Sequence, residues 1–254
     1  MNSLSTVDNA IDLLLTLSAA SEPQGVTALS GALGLGKSST HRLLASLARR
    51  GLVEQDERRR YQTGPALVAL GLAQLERDPI VAAARPELEA AAAELGETVF
   101  LAGPRAGRIL VLDQAQGAGF LRAAPRIGEA IPVHATAIGK LVLAHAPDAV
   151  GLGNSELEAF TERTATSHAA LESEVRRARL RGWAENRGEW IAGLSVVAVP
   201  LWRRERMEGA LAVAAASEQI ERLGAVSLVR RLRAAAGRIE ERLAGTRLLR
   251  ETQA

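Results

Sequence analysis

Three residues, Gly34-Leu35-Gly36, restrict the possible folds of this chain more than any other stretch. No helix runs through so glycine-rich a triplet, yet helical periodicity stands on both sides of it. Before it, Thr27 suits an N-cap, and Leu29 and Leu33 share one face of a short helix. After it, a helix is expected from about Lys37–Ser39 to Arg50, with Thr40, Leu43, Leu44 and Leu47 on one side. Gly51 ends it as a C′ glycine. An earlier helix is marked by Val7, Ala10, Ile11, Leu14 and Leu17, and it stops in Ser18–Gly25, where Pro23 signals a loop. Two short extended runs, Leu52–Gln55 and Tyr61–Gly64, flank the charged tip Asp56–Arg60 and read as a hairpin. The tip has neither Asn-Gly nor Asp-Gly, so its turn type stays open. Three short helices and a hairpin, with a glycine turn between the second and third helices, make the plan of a winged helix-turn-helix.

The same glycines admit a second reading. Gly31 through Ser38 fits the phosphate-binding loop pattern of Gly, four residues and Gly-Lys-Ser. The run Ile109–Leu112 ending in Asp113 passes for the strand whose acid holds magnesium. A phosphate loop, however, must leave a buried strand that supports its amides rigidly. Residues 25–30 read as a loop and a capped helix, and between 38 and 109 little alternates strand with helix. A P-loop NTPase is the alternative, and the local context disfavours it.

In the winged-helix frame the third helix lies in the major groove and reads base edges with its N-terminal residues. At 100° per residue its outward side carries Ser38, Arg42, Ala45 and Arg49, flanked by Ser39, His41 and Ser46. Serine hydroxyls and the first helical amides suit phosphates; Arg42 or His41 reaches bases or backbone. Between residues 37 and 60, Lys37, Arg42, Arg49, Arg50, Arg58, Arg59 and Arg60 face only Glu54, Asp56 and Glu57. Residues 1–36 carry Asp8, Asp12 and Glu22 alone. Positive charge is thus placed where a duplex would lie. The expected DNA contacts are Lys37, Ser38, Ser39, Thr40, His41, Arg42 and Arg49, with Arg58, Arg59 and Arg60 either on phosphates or simply a solvated tip.

Composition bounds the rest. Apolar residues make up 47% and charged residues 24% of 254, the balance of a globular protein with a core and room for one or two domains. The formal charge of +2 selects no partner, and Lys37 and Lys140 are the only lysines. The predominance of arginine is compatible with a GC-rich genome as well as with phosphate binding. Without cysteine there is no disulfide or thiolate chemistry, and a zinc site would need the four histidines and carboxylates. No metal or cofactor is expected. Aromatics at 3% argue against stacking of unpaired bases. The apolar runs Val196–Trp202 and Ala210–Ala216 fall short of the roughly 20 residues of a membrane span. The start has acids and no basic leader, so the expected location is the cytoplasm.

Pro65 opens a helix carrying Leu67, Leu70 and Leu75, and Asp78-Pro79 marks a boundary. The expected division is a winged helix-turn-helix domain at 1–66, a linker helix at 67–79 and an effector-binding domain at 80–254. In the last, a helix from about Ile80 to Leu95 has Ala84, Leu88, Ala91 and Leu95 on one stripe. Strands are expected at Val99–Ala102, Ile109–Leu112, Phe120–Ala123, Leu194–Leu201 and Ala210–Ala216. Helices are expected at Ala137–His145 and Leu171–Arg181, and a long final one holds Leu228, Leu232, Ala235, Ile239 and Leu243 in register. Strand pairs separated by helices give an α+β fold.

These residues resemble the IclR-type bacterial transcriptional regulators over nearly the whole chain. In the first domain the resemblance rests on Lys37 through Leu44, then Leu47, Gly51-Leu52-Val53, Tyr61, Gly64 and Leu70-Gly71. In the second it rests on Gly96-Glu97-Thr98-Val99, Gly128, Pro132 through Ala137 and Gly139-Lys140. It continues at Gly182-Trp183-Ala184, Glu189, Gly193 and Pro200. It implies a DNA-binding head, a linker helix and a GAF-like effector domain with an antiparallel sheet. Further implications are a homodimer or homotetramer on a palindromic operator and a small metabolite that shifts the heads, which requires it to prefer one arrangement.

By the same resemblance the effector pocket is lined by Ala137, Ile138, Asn186, Leu194, Val196, Ala212 and Ala214, with Phe120 or Leu121 at the rim. Some members have serines at the places of Ala212 and Ala214 and an aspartate at that of Asn186. The pocket here is therefore less polar, which favours a bulkier or aromatic ligand over a small hydroxylated acid. For Ala137, Leu194 and Val196 plain core is an equal reading. His134 is taken as pocket-lining or structural: no nucleophile or metal spacing accompanies it or Glu189. Lys140 either meets a carboxylate or snorkels.

Overall fold

The computed structural model describes residues 5–119, 125–152 and 156–251, and the chain separates into two compact units, 1–77 and 78–254. In the first unit, α1 (Ser5–Ala19), α2 (Val26–Leu33) and α3 (Lys37–Ala48) precede a hairpin of β1 (Val53–Gln55) and β2 (Tyr61–Thr63), and α4 (Pro65–Arg77) follows. The three helices bury Leu13, Leu17, Leu29, Leu44 and Leu47 against Val53 and Tyr61 of the hairpin. The spacing of three and four in the sequence is thus spent on a single core.

The cap of α2 differs from expectation. Gly25 is the N-cap in extended conformation, its carbonyl accepting from Leu29 N–H, so Thr27 lies inside the first turn. At the other end Gly34 has φ +64, and Leu35 N–H closes on Ser30 O at 3.0 Å, which satisfies carbonyls that the helix leaves open. Gly36 is extended and N-caps α3. The glycine triplet therefore ends one helix and starts the next within three residues.

The hairpin is antiparallel with Val53 opposite Thr63, and Gln24 adds a bridge to Tyr61. Its tip is built by Asp56. That carboxylate accepts from the backbone N–H of Arg58 and of Arg60, while Arg59 takes φ +60. An aspartate turn thus replaces the glycine signal absent from the sequence.

The second unit begins at Asp78, whose side chain accepts from Ile80 N–H and caps α5 (Pro79–Leu95). Pro79 requires an extended residue before it, so α4 and α5 are separate helices. Six strands follow in an antiparallel sheet of order β5-β4-β3-β8-β7-β6: β3 (Thr98–Arg105), β4 (Arg108–Ala115), β5 (Ala130–Ile131), β6 (Ala184–Arg187), β7 (Leu194–Arg203) and β8 (Arg206–Ala216). The helices are α6 (Ala137–His145), α7 (His168–Arg181), α8 (Ser217–Leu223) and α9 (Ala225–Glu251).

Both faces of the sheet are buried, which explains why its strands read as continuous apolar runs. Phe100, Ala102, Val196, Ala198, Ala210, Ala212 and Ala214 pack with Ile138, Leu141 and Val142 of α6. The alternate residues Val99, Leu101, Val197, Val199, Leu211 and Val213 are equally buried on the other face, where α5 and α9 run. The edge strands β5 and β6 and the short α8 carry no clear pattern in the sequence, and Phe120–Ala123 lies outside the described residues. Among the described residues no helix is long and apolar enough to cross a membrane.

Candidate functional site

Helix α3 sorts its side chains sharply. Thr40, Leu44 and Leu47 are buried, while Lys37, Ser38, His41, Arg42, Ala45 and Arg49 are exposed and Ser39 is half-exposed. The outer face carries no acid, since α3 contains none. Arg42 reaches back one turn to Ser39 Oγ at 3.4 Å, a long and exposed contact that leaves the guanidinium available. Thr40 does not belong with the contact residues: it is 0% exposed, and its hydroxyl donates to Gly36 O at 3.2 Å. It seats the start of α3 on the core and presents nothing outward.

At the hairpin tip the three arginines are not equivalent. Arg60 is tied to Asp56, with Nε and an Nη each 2.9 Å from Oδ2. Arg58 and Arg59 point into solvent. The N–H groups of Arg60 and Arg58 and the Arg60 guanidinium hold the Asp56 carboxyl below its ordinary pKa.

The phosphate-loop pattern is absorbed by this unit. Gly31–Leu33 are the end of α2, and Lys37 and Ser38 open α3, so a helix and not a strand leads into the glycines. Asp113 is on β4 of the other unit, where it pairs with Arg85 of α5 at 2.8 Å. The two halves of an NTPase site are thus a helix-turn-helix and a structural ion pair. Burial raises the pKa of Asp113 despite that partner.

In the second unit an apolar cavity lies between the sheet, the start of α6 and the turn between β6 and β7. Ala137, Ile138, Asn186, Leu194 and Val196 line it, together with Phe100, Pro125, Ile131, Thr136, Trp190 and Ile191. It is only about 10 Å³, room for about one water. Its two polar side chains are both engaged. Asn186 donates to Ala135 O and accepts from Glu189 N–H, each at 2.8 Å. Thr136 caps α6, accepting from Gly139 N–H and donating to Pro132 O.

Other expected lining residues fall elsewhere. Ala212 and Ala214 are core residues of β8 behind the cavity wall. His134 is turned away from it: Nε2 donates to Glu158 O at 2.8 Å and the ring stacks on Phe160 at 5.5 Å. That geometry anchors the segment around Glu158. Phe120 and Leu121 lie outside the described residues. Phe100, Trp190 and Ile191 escaped the sequence reading. Phe100 was legible as the aromatic of a buried strand, and Trp190 as one of three tryptophans in a chain poor in aromatics; nothing in the sequence folds the turn 188–193 onto β3.

Next to the cavity, Lys140 of α6 is 3% exposed. Its Nζ lies 2.5 Å from Glu189 Oε2 and 2.5 Å from Glu174 Oε2 and donates to Glu185 O at 3.1 Å. The three oxygens all lie within 3.1 Å of the ammonium. Lys140 is therefore a buried strut bracing the turn, not a snorkelling side chain. Glu189 has a raised pKa because burial outweighs the pull of Lys140.

Comparison with known proteins supplies the family. The model of the IclR helix-turn-helix domain matches residues 6–57, and that of the bacterial transcriptional regulator IclR C-terminal domain matches 72–241. The glycerol operon regulatory protein of Streptomyces coelicolor is 30% identical over 87% of this chain and 88% of its own. The HTH-type transcriptional regulator BhcR of Paracoccus denitrificans is 34% identical over 77% of this chain and 71% of its own. An IclR transcriptional regulator of Alicyclobacillus acidocaldarius superposes with a TM-score of 0.81 at 26% identity, covering 95% of this chain and 99% of that one. An IclR homologue of Microbacterium hydrocarbonoxydans, solved with 4-hydroxybenzoate, shares the fold at TM-score 0.83 and 22% identity, over 94% and 99% of the two chains. With both domain models matched in order across a helix-turn-helix head and an antiparallel-sheet effector domain, this chain belongs to the IclR family of DNA-binding transcriptional regulators.

Proposed function

We propose that this regulator works in the cytoplasm as a homo-oligomer on a palindromic operator, with α3 in the major groove and Arg58 and Arg59 on flanking phosphates. The observation that carries the reading is the acid-free outer face of α3, where Ser38, Arg42 and Arg49 stand exposed above the buried Thr40, Leu44 and Leu47. A short polar and basic face on a rigid support suits contact with base edges and backbone. Oligomerisation is supported by α1, where Val7, Ile11 and Leu15 are 52%, 49% and 63% exposed at spacings of four. On α4, Val68, Leu70 and Leu72 are exposed as well. The α1 row, one residue per turn on one side of the helix, is an apolar stripe of the kind that marks a protein interface.

The effector site is the cavity bounded by α6, β7 and Trp190. Its lining is apolar apart from Asn186 and Thr136, whose hydrogen bonds are already used. A ligand with an aromatic or aliphatic body fits such walls, its entry displacing Trp190 and Ile191. The Microbacterium relative holds an aromatic acid; in this chain the reading rests on the lining residues.

The test is fluorescence anisotropy with duplex DNA from upstream of its own and adjacent genes, with random duplex as competitor and salt varied. Selective binding that weakens steeply with salt is expected. Arg42→Ala is expected to weaken it and, if Arg42 meets a phosphate, to reduce the salt slope by about 1. Equal, weak binding to specific and random duplex, unchanged by Arg42→Ala, would sink the assignment of α3.

A further inference from the structure

A second cavity, of about 380 Å³, lies outside the apolar one, between the C-terminal half of α7 and the edge strand β6. Its size is that of an ordinary small-molecule site, whereas the apolar cavity is closed. The Lys140 strut forms its floor, and Trp183 and Ala184 form a wall. Its charges are four basic and three acidic side chains, and the pairing among them is uneven. Glu174 and Glu189 are both taken up by the buried Lys140. Glu185 is shared by Arg187 at 3.1 Å and, loosely, Arg181 at 3.9 Å. Arg177 has no hydrogen-bond or ion-pair partner among the described residues, and it stands one helical turn from Arg181 on the same face of α7.

Each acid of the cavity thus has a basic side chain within ion-pair distance, while Arg177 and Arg181, one turn apart on α7, stand in like-charge proximity. Arg181 is held in place by the ring of Trp183, 5.3 Å away. The carbonyls that would repel an anion at the end of α7, those of Arg181 and Gly182, accept from Arg233. Two guanidinium groups at the mouth of a polar cleft, one of them held over Trp183, present the planar donors that match an oxyanion.

We propose that this cleft is a second ligand site, separate from the apolar cavity, which binds a small oxyanion, a carboxylate or phosphate group, through Arg177 and Arg181. The two sites share a wall. Along residues 185–191, Asn186, Trp190 and Ile191 face the apolar cavity, and Glu185, Arg187 and Glu189 face the polar one. An anion that draws Arg181 from Glu185 acts on the segment that closes the apolar cavity.

The experiment is titration calorimetry of the full chain with sodium phosphate and, separately, sodium succinate, at constant ionic strength set with sodium chloride. Saturable binding of at least one is expected, weakened about tenfold or more by Arg177→Ala and by Arg181→Ala. Arg222→Ala, on α8, is expected to leave it unchanged. Phosphate alone binding identifies a phosphorylated ligand, succinate alone a carboxylate. Arg177 is exposed and unpartnered, so its loss leaves the fold intact, which an unchanged melting temperature checks. Absence of saturable binding for both anions overturns the proposal. So does binding that survives both α7 variants or is lost with Arg222→Ala, which places the anion outside the cleft.

Discussion

At the scale of single residues, buried charge decides more than exposed charge. Lys140 sits between two carboxylates in a place that water barely reaches. Lys140→Met keeps the stem but strands Glu189, and is expected to cost about 3 kcal/mol in urea unfolding of the second unit. Adding Glu189→Gln restores part of that loss, because the uncompensated charge is then gone. Asp113 makes a pH prediction. Burial raises its pKa in the folded protein above the ordinary 3.8. Between those two values the folded state keeps a proton that the unfolded chain has released. Its contribution to stability is therefore full below 3.8 and lost as pH rises through the raised value. Melting temperatures measured from pH 3.8 upward are expected to show this decline in the wild type and a flatter profile in Asp113→Asn.

At the scale of elements, glycines determine which pieces can touch. Helix α6 lies so close to the segment before it that a Cβ on Gly139 would stand 1.8 Å from Val133 O. Gly139→Ala is expected to unseat α6 from the sheet and cost several kcal/mol, about the upper range for single substitutions. Calorimetry and loss of effector response both read it. Gly237, inside α9, meets nothing within 4 Å. Gly237→Ala is expected to stabilise by about 0.5–1 kcal/mol, through helix propensity and a less entropic unfolded chain. The same substitution thus changes sign with packing. Helices and central strands were legible because their apolar spacing is dictated by the faces they bury. The edge strands β5 and β6, two and four residues long, were not. Pairing with β4 and β7 makes them strands, and runs so short carry no alternation of their own.

At the scale of the whole molecule, the exposed leucines and valines of α1 and α4 are the main unfinished business of an isolated chain. Leu15→Glu places a charge on the most exposed residue of the α1 stripe while leaving the buried Leu13 and Leu17 untouched. Sedimentation is expected to show a smaller assembly, with weaker operator binding because two half-sites are no longer engaged together. An unchanged assembly size would place the contact on other surfaces.

Local sequence was sufficient for the helix-turn-helix, since glycine at positive φ, proline and apolar periodicity act over a few residues. It also sufficed to sort the outer from the inner face of α3, apart from the role assigned to Thr40. The chemistry of the effector domain lay beyond it. His134 looks like a ligand in the sequence and is turned to Glu158 by the fold. Lys140 admitted two readings until Glu174 and Glu189 were brought to it from 34 and 49 residues away. Ala212 and Ala214 sit in the core, while Trp190 closes the cavity in front of them. Backbone preferences and burial patterns are set by near neighbours, so the sequence alone determined the elements and their inner faces. Which side chains meet across the sheet depends on long-range packing, and only the tertiary structure decided that.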